Sequence, residues 1–214
     1  MKEMKFGQMD LKTKIKHHRS IKKEEKNLKA LGNELAFYDF KTLSPNNDYQ
    51  FIVQFTDNIE VTTYSDIEYS GNEFDFTYQM ETLKCFINQL FKYLPEDYCL
   101  IRNYGTDWIV DKELSLELYE HFNEQGILNN SKQLLSIKKD DRLISLLLDS
   151  IFQYNSFVQF IFKESGVIVS PSDHLDLFIS GNKLSEVRDI LNNCLNNFSK
   201  REVLEIRKIF NSPN

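Results

Sequence analysis

Two hydrophobic periods occupy this chain in separate blocks, and the order of those blocks is what most limits its fold. Around residues 51–79 the apolar residues run or alternate with a period of two. Phe51-Ile-Val-Gln-Phe, then Ile59, Val61 and Thr63, then Phe74, Phe76 and Tyr78 read as three antiparallel strands, turned at Asp57-Asn58 and Ser70-Gly71-Asn72. The period then changes. Met80, Leu83, Ile87, Leu90, Phe91 and Leu94 share one helical face, and Pro95 follows the stop. Residues 98–111 read as a hairpin about Tyr104-Gly105, and Lys112 to Gln125 as a helix ended by Gly126. Residues 129–139 read as irregular. Asp140 opens a helix that is apolar all round and therefore central. Residues 157–179 hold three more strands, Asn182 opens another helix, and Ser199-Lys-Arg-Glu202 reads as the capping box of a last helix reaching about Phe210. Groups of antiparallel strands with helices between them predict an α+β fold, since a doubly wound sheet needs strict βαβα order.

Charge is distributed as unevenly as hydrophobicity. The first 30 residues hold ten Lys/Arg and four Asp/Glu, a net of +6; the remaining residues hold sixteen and twenty-eight, a net of -12. Asp10 is placed to cap a helix from Leu11 to about Leu35, with a narrow apolar stripe of Ile21, Leu28 and Leu35. The expected organisation is a basic helical arm over residues 1–40 and one α+β domain over residues 41–214, with a sub-division near residue 129 as the alternative. Lys12, Lys16, Arg19, Lys22, Lys23 and Lys26 are the residues that would meet phosphates if the arm bound nucleic acid. No aromatic residue lies between Leu11 and Leu35 to stack on bases, and the acidic remainder repels a polyanion. The favoured expectation is a solvated helix lying on its own acidic body.

Chemistry is thinly represented. Seven glycines include neither GxGxxG nor GxxxxGK[ST], so no phosphate-cradling loop is expected. Three cysteines without a CxxC pair predict neither a zinc site nor a disulfide framework. They suit a reducing compartment, the cytoplasm, with Cys194 in the core and Cys85 facing water. The N-terminal residues lack an apolar stretch of signal-peptide type, and Asp149, Gln153, Asn155 and Gln159 interrupt the longest apolar run, so no membrane association is expected. The best polar constellation is Asp173, His174 and Asp176 in the loop after Pro171, where His174 and Asp176 would share a strand face and could hold a metal or act as base and orienter. Metal sites need three or four ligands and no second set exists, so neither metal nor cofactor is expected. Asp107 and Asp111 straddle Trp108-Ile-Val, read as a strand whose Trp108 and Val110 point to the core, without the lysine a nuclease strand pair would add.

Without a constellation fit for catalysis, the expectation is a non-enzymatic protein-binding module. Its most concrete form is an immunity or antitoxin-like inhibitor that neutralises a cognate toxic enzyme, drawn to a basic partner by its negative field. A small metal-dependent hydrolase or nuclease using Asp173, His174 and Asp176, and a nucleic-acid-associated regulator using the basic helix, are the alternatives.

Overall fold

The computed structural model of the protein describes residues 23, 25–41, 44–45, 50–70, 73–105, 107–128, 134–139 and 141–209. In chain order the elements are α1 (residues 25–34), β1 (Tyr38–Asp39), β2 (Ser44–Pro45), β3 (Gln50–Phe55), α2 (Tyr64–Ser70), α3 (Glu73–Tyr93), β4 (Tyr98–Asn103), α4 (Leu116–Glu124), β5 (Leu134–Lys138), α5 (Asp141–Phe152), β6 (Val158–Phe162), β7 (Val167–Ser172), β8 (Asp176–Gly181), α6 (Leu184–Asn196) and β9 (Leu204–Ile209). Seven strands make one antiparallel sheet in the order β5-β4-β6-β7-β8-β3-β9, and β1 and β2 form a separate short ribbon. The α+β class predicted from sequence is the class observed.

Period-two side chains divide the sheet into two faces. Phe51, Val53 and Phe55, with Ile101, Phe160, Phe162, Val169, Leu177 and Ile179, point to an inner face packed by α3, α4, α5 and α6. The outer face carries one in-register row across five strands: Arg102, Gln159, Ser170, Phe178 and Ile52. Over part of that face lie α1 and the residues after it. Leu31, Leu35, Phe37, Tyr38 and Phe40 bury themselves against Ile161 and Ile168. Residues 31–40, on the arm side of the predicted boundary, thus supply a second apolar layer.

Several elements differ from the sequence-based expectation. Residues 59–63 form no strand. Gln79 takes the place of a strand partner: its Oε1 accepts from Thr62 N–H at 2.9 Å, and its Nε2 donates to Glu60 C=O at 2.7 Å. Thr63 then caps α2, because Asp66 Oδ2 accepts from both its N–H and its hydroxyl. Residues 74, 76 and 78 are helical. Phe76 stands four residues before Met80, so it extends the helical stripe, and Glu73 and Asp75 favour the helix start electrostatically. Leu134–Lys138 is an edge strand on β4. The last helix is absent: a short 3₁₀ turn at Arg201–Val203 leads into β9, which pairs with the open edge of β3 from Gln50↔Ile209 to Phe55↔Leu204. Among the described residues, no helix is long and apolar enough to cross a membrane.

Candidate functional site

The segment predicted as the second arm of a hairpin, residues 107–111, is not a strand. It is held instead by a buried polar network built on Asn155, which is 1% exposed. The Asn155 side chain mimics a strand partner: its Oδ1 accepts from Asp111 N–H at 2.5 Å, and its Nδ2 donates to Asp111 C=O at 2.7 Å. The Asn155 carbonyl accepts from Val110 N–H at 2.9 Å. The same Nδ2 donates to Ser115 Oγ, Ser115 donates to Ser150, and Ser150 and Ser156 share a bond of 2.6 Å. Ser156 donates onward to Trp108 C=O at 2.7 Å, which requires Ser150 to be the donor to Ser156. Each hydroxyl therefore both accepts and donates, the arrangement in which successive bonds strengthen one another. Ser150 and Ser156 are fully buried, so the network fixes the loop's shape.

This network turns Trp108 and Ile109 into the core and Val110 outward, with Val110 64% exposed. The expectation that Trp108 and Val110 share an inward face is therefore corrected: without strand geometry the period-two rule does not hold. Leu114 and Leu116, which flank Ser115, are also exposed, as are Tyr104 and Tyr154. The Tyr104 and Tyr154 rings both pack edge-on against Phe157, at 5.9 and 5.2 Å. The result is an apolar patch on loops 104–116 and 152–157. Asp107, Asp111 and Glu113 stand exposed along the same loops, and Glu117, paired with Arg142, is exposed in the first turn of α4.

Tyr154 is the unusual member. It ends α5 in a Schellman arrangement, with Tyr154 N–H bonded to Ile151 C=O at 3.0 Å and Asn155 N–H to Ser150 C=O at 2.8 Å. That position calls for left-handed backbone, and Tyr154 has φ of 56°. The equivalent turn after α4 uses Gly126, with φ of 65°. A side chain in this conformation costs roughly 1–2 kcal/mol. Tyr154 is nevertheless 56% exposed, so packing recovers little of that cost.

Beside the patch, a cavity of about 440 Å³ opens on the outer sheet face, with Tyr38, Tyr104 and Phe157 in its lining. Gln159 lies in it, donating through Nε2 to Tyr38 Oη at 2.7 Å and Ser170 Oγ at 3.1 Å, while its Oε1 is buried without a partner. Burial raises the Tyr38 phenol above its ordinary value, against the hydrogen bond from Gln159 and the charge of Arg102, so Tyr38 stays a neutral hydroxyl.

The predicted group Asp173, His174 and Asp176 is divided between two hollows. Residues 173–175 are a tight turn closed by Leu175 in left-handed backbone, so His174 and Asp176 do not lie on one strand face. Asp173 lines the Gln159 cavity, whereas His174 and Asp176 border a separate hollow beside Thr56 and Asp57. Burial raises the Asp176 pKa, opposed by the Ser172 hydroxyl, and its Oδ1 has no partner. Among the described residues, no three His, Cys, Asp or Glu side chains are grouped to hold a metal ion. Cys194 is buried and Cys85 exposed, as read from sequence; burial pushes the Cys99 and Cys194 thiols up to about 12. Lys84 turns away from Cys85 into the α3–α5 contact, where it bonds Asp149 at 2.5 Å and Glu81 at 2.8 Å. Lys12, Lys16, Arg19 and Lys22 lie outside the described residues; Lys23 and Lys26 are exposed at the start of α1.

Sequence reasoning did not single out Asn155, Ser150, Ser156 or Tyr154. The available signal was Asn155, which with Asp149, Gln153 and Gln159 interrupts the longest apolar run and counts there only against membrane insertion. No protein family model, curated protein or solved structure matches the chain.

Proposed function

We propose that this chain is a cytoplasmic protein-binding module of the immunity or antitoxin kind, which neutralises a basic toxic enzyme by covering it with the Tyr104–Leu116 and Tyr154 surface. The observation that carries the reading is Tyr154. A large ring is kept in a conformation that favours glycine and set largely in water, a stability cost that its edge-on contact with Phe157 offsets only in part. Aromatic anchors of this kind dominate binding energy where a partner covers them. The surrounding composition fits the same reading: an apolar centre of Val110, Leu114 and Leu116 with a rim of Asp107, Asp111, Glu113 and Glu117 complements a cationic surface. The Asn155 network pre-organises the loop, which lowers the ordering cost of association. Three free cysteines suit a reducing compartment.

The test pairs the purified chain with the product of the gene beside its own. Titration calorimetry and an activity assay of that product are expected to show a complex in which the activity is silenced. Val110→Lys with Leu116→Lys is expected to weaken the complex at least tenfold, since both side chains are exposed and the fold does not depend on them. No complex, or one that both substitutions leave unchanged, contradicts the proposal.

A further inference from the structure

Arg102 projects from the outer face of β4 beneath the segment that follows α1. It is 8% exposed, and its Nε and Nη1 are both buried without a hydrogen-bond partner. A guanidinium is always charged at physiological pH, and a buried charge without a partner is strongly destabilising. Its surroundings do not resolve this. The Phe40 ring lies 5.4 Å from the guanidinium carbon, a favourable stack that supplies no acceptor. Gln159, the neighbour in register on β6, spends its Nε2 on Tyr38 and Ser170 and makes no bond to Arg102. Asp39 accepts from Lys41 N–H at 2.8 Å, and its charge acts on Arg102.

Arg102 opens into a hollow of about 920 Å³, separated from the Gln159 cavity by Tyr38, which lines both. Leu28, Ala36 and Phe40 supply apolar wall, and Lys29 and Lys41 line it as exposed cations. Among the described residues, Glu25 and Asp39 also line it, beside the three cations Arg102, Lys29 and Lys41. The volume is that of a small-molecule site.

We propose that this hollow binds a small organic anion, a carboxylate or phosphate carried on an apolar body, with Arg102 as the receiving group and Lys29 and Lys41 supporting it. The unpaired N–H groups gain an oxyanion acceptor, the strong form of hydrogen bond for a guanidinium, and the apolar body rests on Leu28 and Phe40. The site is independent of the partner-binding patch, so either can fail without the other.

The test is thermal unfolding of the full chain with phenyl phosphate, benzoate or inorganic phosphate, each against sodium chloride at equal ionic strength. Phenyl phosphate or benzoate, whichever matches the natural head group, is expected to raise Tm in a saturable way, because a ligand that binds only the native state stabilises it. Inorganic phosphate is expected to act more weakly than phenyl phosphate. Arg102→Met is expected to weaken the response at least tenfold, and Lys29→Gln with Lys41→Gln several-fold; the second pair is exposed and keeps the test valid if the first variant unfolds. Chloride matching every anion, or a response unchanged in the variants, overturns the site. That is also the result expected if Gln159 turns its Oε1 to the guanidinium instead.

Discussion

Tyr154 and Gly126 occupy the same position in the same helix-ending motif, and the contrast between them gives a test at single-residue scale. Tyr154→Gly removes the strained side chain, and the expected result is a fold more stable by about 1 kcal/mol in denaturant titration, together with weaker partner association. A loss of both stability and binding would instead make Tyr154 a packing residue. Asp176 tests a second local idea. Its pKa is raised by burial, so folding favours its protonated form. Below the ordinary carboxylate range the group is protonated in both states and costs nothing. The cost grows as pH rises through the unfolded value and is complete above the folded one. Asp176→Asn is therefore expected to raise Tm at neutral pH, with the gain vanishing toward pH 3. A gain that persists unchanged at pH 3 would show that charge burial is not its source. These features were hard to read in the sequence because neither Tyr154 nor Asn155 belongs to a spacing pattern: a left-handed aromatic and an amide that imitates a strand are visible only once both loops are in place.

At the scale of elements, sequence pattern succeeded where an element is fixed by its own side chains. The strands β3 and β6 alternate or run apolar, β7 and β8 hold short apolar runs at residues 167–169 and 177–179, α6 carries a full apolar face, and the α4 stop at Gly126 is local chemistry. It failed where a distant partner decides. Residues 204–209 read as the end of a helix, but the unpaired edge of β3 makes them a strand. Ile59, Val61 and Thr63 alternate like a strand, but the Gln79 side chain holds that backbone and no neighbouring strand does. In the basic arm the sparse seven-residue stripe contains Leu35 but not Leu31, which lies four residues before it on the same buried face. Leu35→Ala is expected to cost about 2–5 kcal/mol, the range for emptying a buried leucine site. Removing residues 1–22 is expected to leave a cooperative unfolding transition within a few degrees of the full chain, checked by differential scanning calorimetry. A molten or insoluble truncated chain would place those residues in the folding unit.

On the scale of the whole molecule, the two sheet faces divide the work. The inner face, with its helices, supplies the main core, and among the described residues it is 31–40 that cover part of the outer face, with the Gln159 and Arg102 hollows on either side of Tyr38. The apolar patch sits where β4 and β6 give way to the Asn155-bound loops, with an acidic rim on a body whose residues 31–214 carry a net charge of -12. Electrostatic steering by such a body makes association with a cationic partner fall with salt, mainly through the on-rate. Amide hydrogen exchange of the full chain, alone and with the proposed basic partner, reads most directly where that partner sits. The expected result is new protection at residues 104–116 and 152–157, little change in α1 and β9, and loss of that protection in the Val110→Lys, Leu116→Lys variant. Protection centred on residues 25–41, or spread evenly over the acidic surface without these two loops, would contradict it.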